Sequence, residues 1–86
     1  MDWQKLLTQA GYRISKPRKQ VMQLLENTQT PQTALAIYEK LKAQGEHASL
    51  VSVYRTLELF ASLGLISMVY EPEGSLGYLP ASAGHH

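Results

Sequence analysis

Tyr54 and Arg55 stand side by side in the run Ser49–Leu59, S-L-V-S-V-Y-R-T-L-E-L. A tyrosine ring can press its apolar face against thymine methyls. An arginine can donate two parallel hydrogen bonds to a guanine edge, or grip a phosphate. The run reads as a helix capped by Ser49. Leu50, Val53, Leu57, Phe60 and Ala61 fall on one face at helical spacing, and Val51, Ser52, Arg55, Glu58 and Ser62 on the other, with Tyr54 at the boundary. A helix of this length, with no acid in its N-terminal half, has the dimensions and charge of an element that enters the DNA major groove. Val51 and Ser52 sit in the same first turn, where they would reach bases or backbone. The plainer reading pairs Arg55 with Glu58 three residues on and leaves Tyr54 at the rim of a core.

A second group of residues with chemistry lies near the N-terminus. Arg13, Lys16, Arg18 and Lys19 surround Ser15-Lys16-Pro17, the start of another helix. Cations are a poor choice at that end, because the helix macrodipole and the free N–H groups already favour an anion. An arriving phosphate would relieve the conflict. The alternative is a tolerated basic surface. Residues 1–20 hold Lys5, Arg13, Lys16, Arg18 and Lys19 against Asp2, a balance of +4, and the remaining 66 residues balance at −3. The overall charge of +1 therefore hides a basic end suited to a polyanion.

The elements that must position these residues fit one small domain. A chain of 86 residues buries roughly 60–65% of the surface its unfolded form exposes, which implies a single core and a stability of about 5 kcal/mol. With 44% apolar residues it is too hydrophobic to be disordered, and with no cysteine it has neither disulfides nor thiolate metal sites. No apolar run approaches the ~20 residues of a membrane span, and Met1-Asp2-Trp3-Gln4-Lys5 is not the start of a signal peptide. The expectation is a soluble cytoplasmic protein with no membrane partner. No Ser/His/Asp set, paired carboxylates or glycine-rich phosphate loop appears, so the sequence gives catalysis no support.

Helical period dominates to about Gly64. Asp2 caps a first helix ending at Gly11, with Leu6, Leu7 and Ala10 as its apolar side and Trp3 as a core residue. Ser15 caps a second, with Pro17 in its first turn, Val21, Leu24 and Leu25 inward, and its end at Asn27. Thr30-Pro31-Gln32-Thr33 is a turn and cap. A third helix follows from Ala34 to Gln44, its buried stripe either Leu35, Tyr38 and Leu41 or Ile37 and Leu41. Gly45 stops it, Glu46-His47-Ala48 forms a surface turn, and the Ser49-capped helix is the fourth. Leu65 to Tyr70 and Leu76 to Leu79, separated by Glu71-Pro72-Glu73-Gly74-Ser75, read as a β-hairpin. A lone hairpin is marginal in water, so Leu65, Ile66, Met68 and Val69 are expected to pack it on the helices. This order is that of a winged helix-turn-helix: mostly α, about four helices, then a two-stranded wing. Residues 1–80 form the domain and 81–86 a tail or hinge.

Gly11-Tyr12-Arg13-Ile14-Ser15-x-x-Arg18, the segment Thr33 to Leu41 with Ile37-Tyr38, the block Ser49-Leu50-Val51-Ser52-Val53-Tyr54-Arg55-Thr56-Leu57 and then Gly64-Leu65-Ile66 occur in order, ahead of His85-His86. Together they resemble the N-terminal DNA-binding domain of the ferric uptake regulator family across nearly the whole chain. The resemblance implies the reading head of a bacterial metal- or peroxide-responsive repressor. It implies double-stranded DNA as partner, with a palindromic operator, and a homodimer formed through a following α/β domain. The hinge would lie where this chain stops, and the chain alone would be monomeric. By position, Tyr54 and Arg55 match residues that touch bases and backbone. Arg13 matches a basic residue near the minor groove, and Arg18 one near phosphate.

The resemblance also implies zinc, iron or manganese for the full-length protein and no cofactor in this chain alone. His85 and His86 match the start of a hinge histidine cluster. Two adjacent histidines cannot complete a tetrahedral site by themselves. Where the family often carries a histidine ligand before the third helix, this chain has Thr30-Pro31. Where the family carries an acidic ligand beside the wing aromatic, this chain has Leu79 after Tyr78. The rival function is a winged helix that docks a protein through the same helix face without reading DNA. An accessory domain of an enzyme is a third.

Overall fold

The computed structural model describes residues 2–81. Four helices come first: α1 Trp3–Gln9, α2 Lys16–Glu26, α3 Ala34–Ala43 and α4 Leu50–Ser62. Each begins at a residue whose side-chain oxygen accepts from a backbone N–H three positions on. Asp2 accepts from Lys5 at 3.1 Å, Ser15 from Arg18 at 3.4 Å, Thr33 from Ala36 at 3.1 Å and Ser49 from Ser52 at 3.1 Å. α4 ends where Gly64 turns at φ +76, a conformation that costs other residues a steric penalty. The Leu65 N–H then closes on the Phe60 carbonyl at 2.9 Å and feeds the chain into the sheet.

The sheet has three strands where the periodicity predicts two. β1 is Gln32–Thr33, β2 Ile66–Tyr70 and β3 Leu76–Pro80, all antiparallel in the order β1-β3-β2. Gln32 lies opposite Tyr78 and Thr33 opposite Gly77, so Thr33 pairs with β3 and caps α3 at once. A two-residue strand is too short for any alternation to register. Gly77 makes the pairing possible, since a Cβ there would lie 2.5 Å from the Pro31 Cβ. β1 thus ties the start of α3 to the wing, and the hairpin is not left alone.

The core joins Trp3 and Leu7 of α1, Val21, Met22 and Leu25 of α2, Ala34, Ile37 and Leu41 of α3, and Val53, Leu57 and Phe60 of α4. Leu65, Ile66 and Tyr78 complete it. For α3 this selects the stripe through Ile37 and Leu41, and Leu35 is exposed. Two expectations fail. On α1 the inward residues are Trp3 and Leu7, one turn apart, whereas Leu6 and Ala10 are exposed. On the wing, Met68 and Val69 are exposed and only Ile66 of β2 is buried. Met68 shares a sheet face with Ile66 but lies one pleat further along the strand, and Tyr78 opposite it on β3 is the buried member of that pair.

Burial raises the pKa of the Tyr78 phenol, and the nearby Tyr54, Glu58 and Tyr70 add to the shift. A raised folded-state pKa gives a stabilisation that is complete below about pH 10, where the unfolded tyrosine is still protonated. It is lost as pH rises through the folded value. Thermal melts above pH 10 are expected to fall more steeply for the native chain than for Tyr78→Phe. Parallel slopes would remove Tyr78 as the cause. Among the described residues no helix is long and apolar enough to cross a membrane.

Candidate nucleic-acid interface

α4 divides its surface as an amphipathic helix should. Val53, Thr56, Leu57 and Phe60 are buried, while Val51, Tyr54, Arg55, Glu58 and Ser62 face water. Val51 and Tyr54 are 59% and 47% exposed, a large apolar area for a helix with so little polar competition near its N-terminus. The plainer pairing of Arg55 with Glu58 does not form, since the one salt bridge among the described residues is Lys16–Glu46 at 3.8 Å.

The N-terminal basic group meets α4 across a cleft of about 250 Å³. Arg13, Ser15, Pro17 and Arg18 line one side, and Ser52, Arg55 and Thr56 the other. Three arginines therefore line one open cleft at the start of α2, and none has an acidic partner among the described residues. Positive charge gathered in this way suits an anion, and the macrodipole of the 11-residue α2 points the same way.

Of the eight residues assigned to DNA from the sequence, the cleft gathers Arg13, Arg18, Ser52 and Arg55. Val51 and Tyr54 stand exposed on the solvent side of α4. Lys16 and Lys19 do not line the cleft. Lys16 lies instead 3.8 Å from Glu46 in the turn before α4, and Lys19 is exposed further along α2. The sequence reading missed Thr56, which is 6% exposed and lines the cleft. Its spacing of four from Ser52 was the available signal. It also missed Tyr12, whose ring lies beneath the Arg18 guanidinium, 5.5 Å from ring centroid to Cζ. That contact follows from the bend at Gly11 and has no signature in helical periodicity.

The wing tip is acidic. Gly74 turns at φ +100, and the Glu73 carboxylate accepts from the Ser75 hydroxyl at 2.6 Å, which lowers the Glu73 pKa. A phosphate backbone would be repelled there.

Among the described residues no group of three or more His, Cys, Asp or Glu side chains is placed to hold a metal ion. At the two positions where the family resemblance implies ligands, Pro31 packs on Gly77, and Leu79 lies opposite Ser67 in the β2–β3 ladder. Neither Pro31 nor Leu79 carries a donor atom, and the Thr30 hydroxyl beside Pro31 accepts from the Gln32 side-chain amide at 3.3 Å, so these two positions supply no imidazole or carboxylate ligand. His85 and His86 lie outside the described residues.

Comparison with known proteins places this geometry. The sequence model of the ferric uptake regulator family matches residues 9–86. The ferric uptake regulation protein of Legionella pneumophila is 36% identical over 87 residues, an alignment covering 100% of this chain and 63% of that protein. Among solved structures, the Vibrio cholerae ferric uptake regulator, a protein whose DNA-binding domains rearrange, superposes with a TM-score of 0.85 at 27% identity over 99% of this chain and 65% of its own. The Pseudomonas aeruginosa ferric uptake regulator, solved with manganese, superposes with a TM-score of 0.84 at 29% identity over 100% of this chain and 65% of its own. The chain thus spans less than two thirds of the length of each.

Proposed function

The chain belongs to the ferric uptake regulator family, and we propose that within it residues 1–80 form a sequence-specific DNA-binding winged helix of a cytoplasmic, metal-responsive repressor. The observation that carries this reading is the cleft in which Arg13 and Arg18 meet Ser52 and Arg55 of α4, beside the exposed Val51 and Tyr54. α4 enters the major groove. Arg55 and Tyr54 read base edges and thymine methyls, with Val51 and Ser52 in the same turn. Arg13 and Arg18 hold the flanking backbone at the start of α2, and Lys16 and Lys19 add a diffuse attraction to phosphate. The acidic wing tip stays off the backbone. A domain of this kind has no catalytic task, and nothing in the proposed role calls for one.

Residues 81–86 begin the hinge to a dimerisation domain. A homodimer would set two α4 helices on a palindromic operator about one helical turn apart. The 86-residue chain by itself would bind as a monomer, without the gain in effective concentration that linkage brings. The zinc, iron or manganese of the whole protein would draw on His85 and His86, which match the start of the hinge histidine cluster and need further ligands to complete a site.

The test is a selection from a random duplex library, followed by titration of the enriched site over a range of salt. The expected result is an enriched motif whose affinity falls steeply with salt, at close to one counterion per phosphate contact. No enrichment and a flat salt dependence would favour the protein-docking alternative and end this reading.

A further inference from the structure

We propose that Arg18 is a positioning residue: together with Tyr12 it latches the Gly11–Ile14 segment into the one arrangement that presents Arg13 to the cleft. The inference rests on the cleft being a nucleic-acid interface. The core holds the segment only in part. Tyr12 and Ile14 are 40% and 37% exposed, and neither belongs to the core cluster. The N–H groups of Gly11 and Tyr12 bond back to Thr8 and Leu7 at 3.0 and 3.1 Å, but among the described residues those of Arg13 and Ile14 make no backbone hydrogen bond.

Arg18 supplies the missing restraints. Its Nη1 donates to the Arg13 carbonyl at 2.9 Å, and its Cζ lies 5.5 Å from the Tyr12 ring centroid. Its own backbone N–H is fixed by the Ser15 cap at 3.4 Å, so the side chain springs from the first turn of α2. One guanidinium thus grips the segment at a carbonyl and at a neighbouring ring. A guanidinium has five donors in a plane, so these contacts leave others for a phosphate. A lysine would bring the same charge but neither the flat face nor the fork. Tyr12, which does not line the cleft, thereby becomes a determinant of DNA affinity.

The experiment compares the 86-residue chain with Arg18→Lys, Tyr12→Ala and Tyr12→Phe. One readout is the backbone order of residues 12–14 in the free chain, by nitrogen-15 relaxation. The other is affinity for a mixed-sequence duplex at several salt concentrations. Tyr12→Ala is expected to lower the order of the segment and weaken binding about two- to fivefold, the range of a surface cation–π contact. The salt slope should stay unchanged, because the number of phosphates neutralised is the same. Arg18→Lys should behave like Tyr12→Ala, and Tyr12→Phe like the native chain. The latch is overturned if Arg18→Lys retains native loop order and affinity, or if Tyr12→Ala changes neither readout. A latch that loosens in Tyr12→Ala with no change in affinity would also overturn it. Should the native chain bind no duplex, the proposed function falls, and loop order in the free chain still decides whether the latch exists.

Discussion

Phe60→Ala is expected to cost about 3–5 kcal/mol, which is most of the stability a domain of this size possesses. Phe60 is fully buried on α4, and its ring lies 6.3 Å from that of Trp3 at an angle of 57°, a tilted aromatic pair. The same side chain therefore anchors the inner face of α4 and holds α1 against it. Truncation removes the ring, leaves a cavity among side chains that relax only in part, and frees Trp3 from its partner. Trp3 is the only tryptophan of the chain, so its fluorescence during urea unfolding reports the loss directly. The expected trace has a sharply lower midpoint or no native baseline at all. A midpoint shift worth under ~1.5 kcal/mol would mean that Phe60 does not hold the core. The contrast is Leu6→Ala, one residue from Leu7 on the exposed side of α1, which should change stability by no more than about 0.5 kcal/mol.

That contrast shows where local reasoning reaches and where it stops. The four helix starts were legible, because a cap is a short-range event: an Asp, Ser or Thr oxygen finds an N–H three residues on whatever the rest of the chain does. The division of α4 was legible for the same reason, since a 13-residue helix repeats its pattern several times. α1, with 7 residues, completes fewer than two turns at 3.6 residues each. Its sequence offers Leu6, Leu7 and Ala10 together as an apolar side, and only the tertiary contact of Trp3, one turn before Leu7, with Phe60 turns Leu7 inward and leaves the other two exposed. The wing failed on a different scale. Apolar and β-branched composition marks Leu65 to Tyr70 as a strand, but it carries no information about which of Ile66, Met68 and Val69 the helices cover. β1 escaped altogether, because the pairing of Gln32 and Thr33 depends on a glycine more than forty positions away.

The candidate site divides in the same way. Residue type and helical spacing put Val51, Tyr54 and Arg55 on one face of α4. That Arg13 and Arg18 share a cleft with Arg55 follows from the packing of α2 on α4 through residues such as Val21 and Leu57, a tertiary fact. Charge counting could assign a basic end to a polyanion. It could not tell that Lys16 faces Glu46 while the arginines have no acidic partner among the described residues.

Arg55→Ala should then produce the largest change in DNA recognition. Arg55 is exposed on the outer face of α4, lines the cleft and has no acidic partner among the described residues, so truncation leaves the fold intact. A bidentate contact to a guanine edge is worth about 1–3 kcal/mol of discrimination, so affinity for the enriched site should fall roughly 5- to 150-fold. On a scrambled duplex only the electrostatic share is lost, and the fall should be smaller. The variant is thus expected to narrow the gap between the two duplexes as well as to weaken both. Urea unfolding of the variant should overlay that of the native chain, since an exposed side chain with no partner contributes little to stability. Equal loss on both duplexes, with a salt slope shallower by about one, would make Arg55 a phosphate contact like its neighbours in the cleft and leave base reading to Tyr54 and Val51. No loss on either duplex would take α4 out of the groove altogether, and the three-arginine cleft would need another anion.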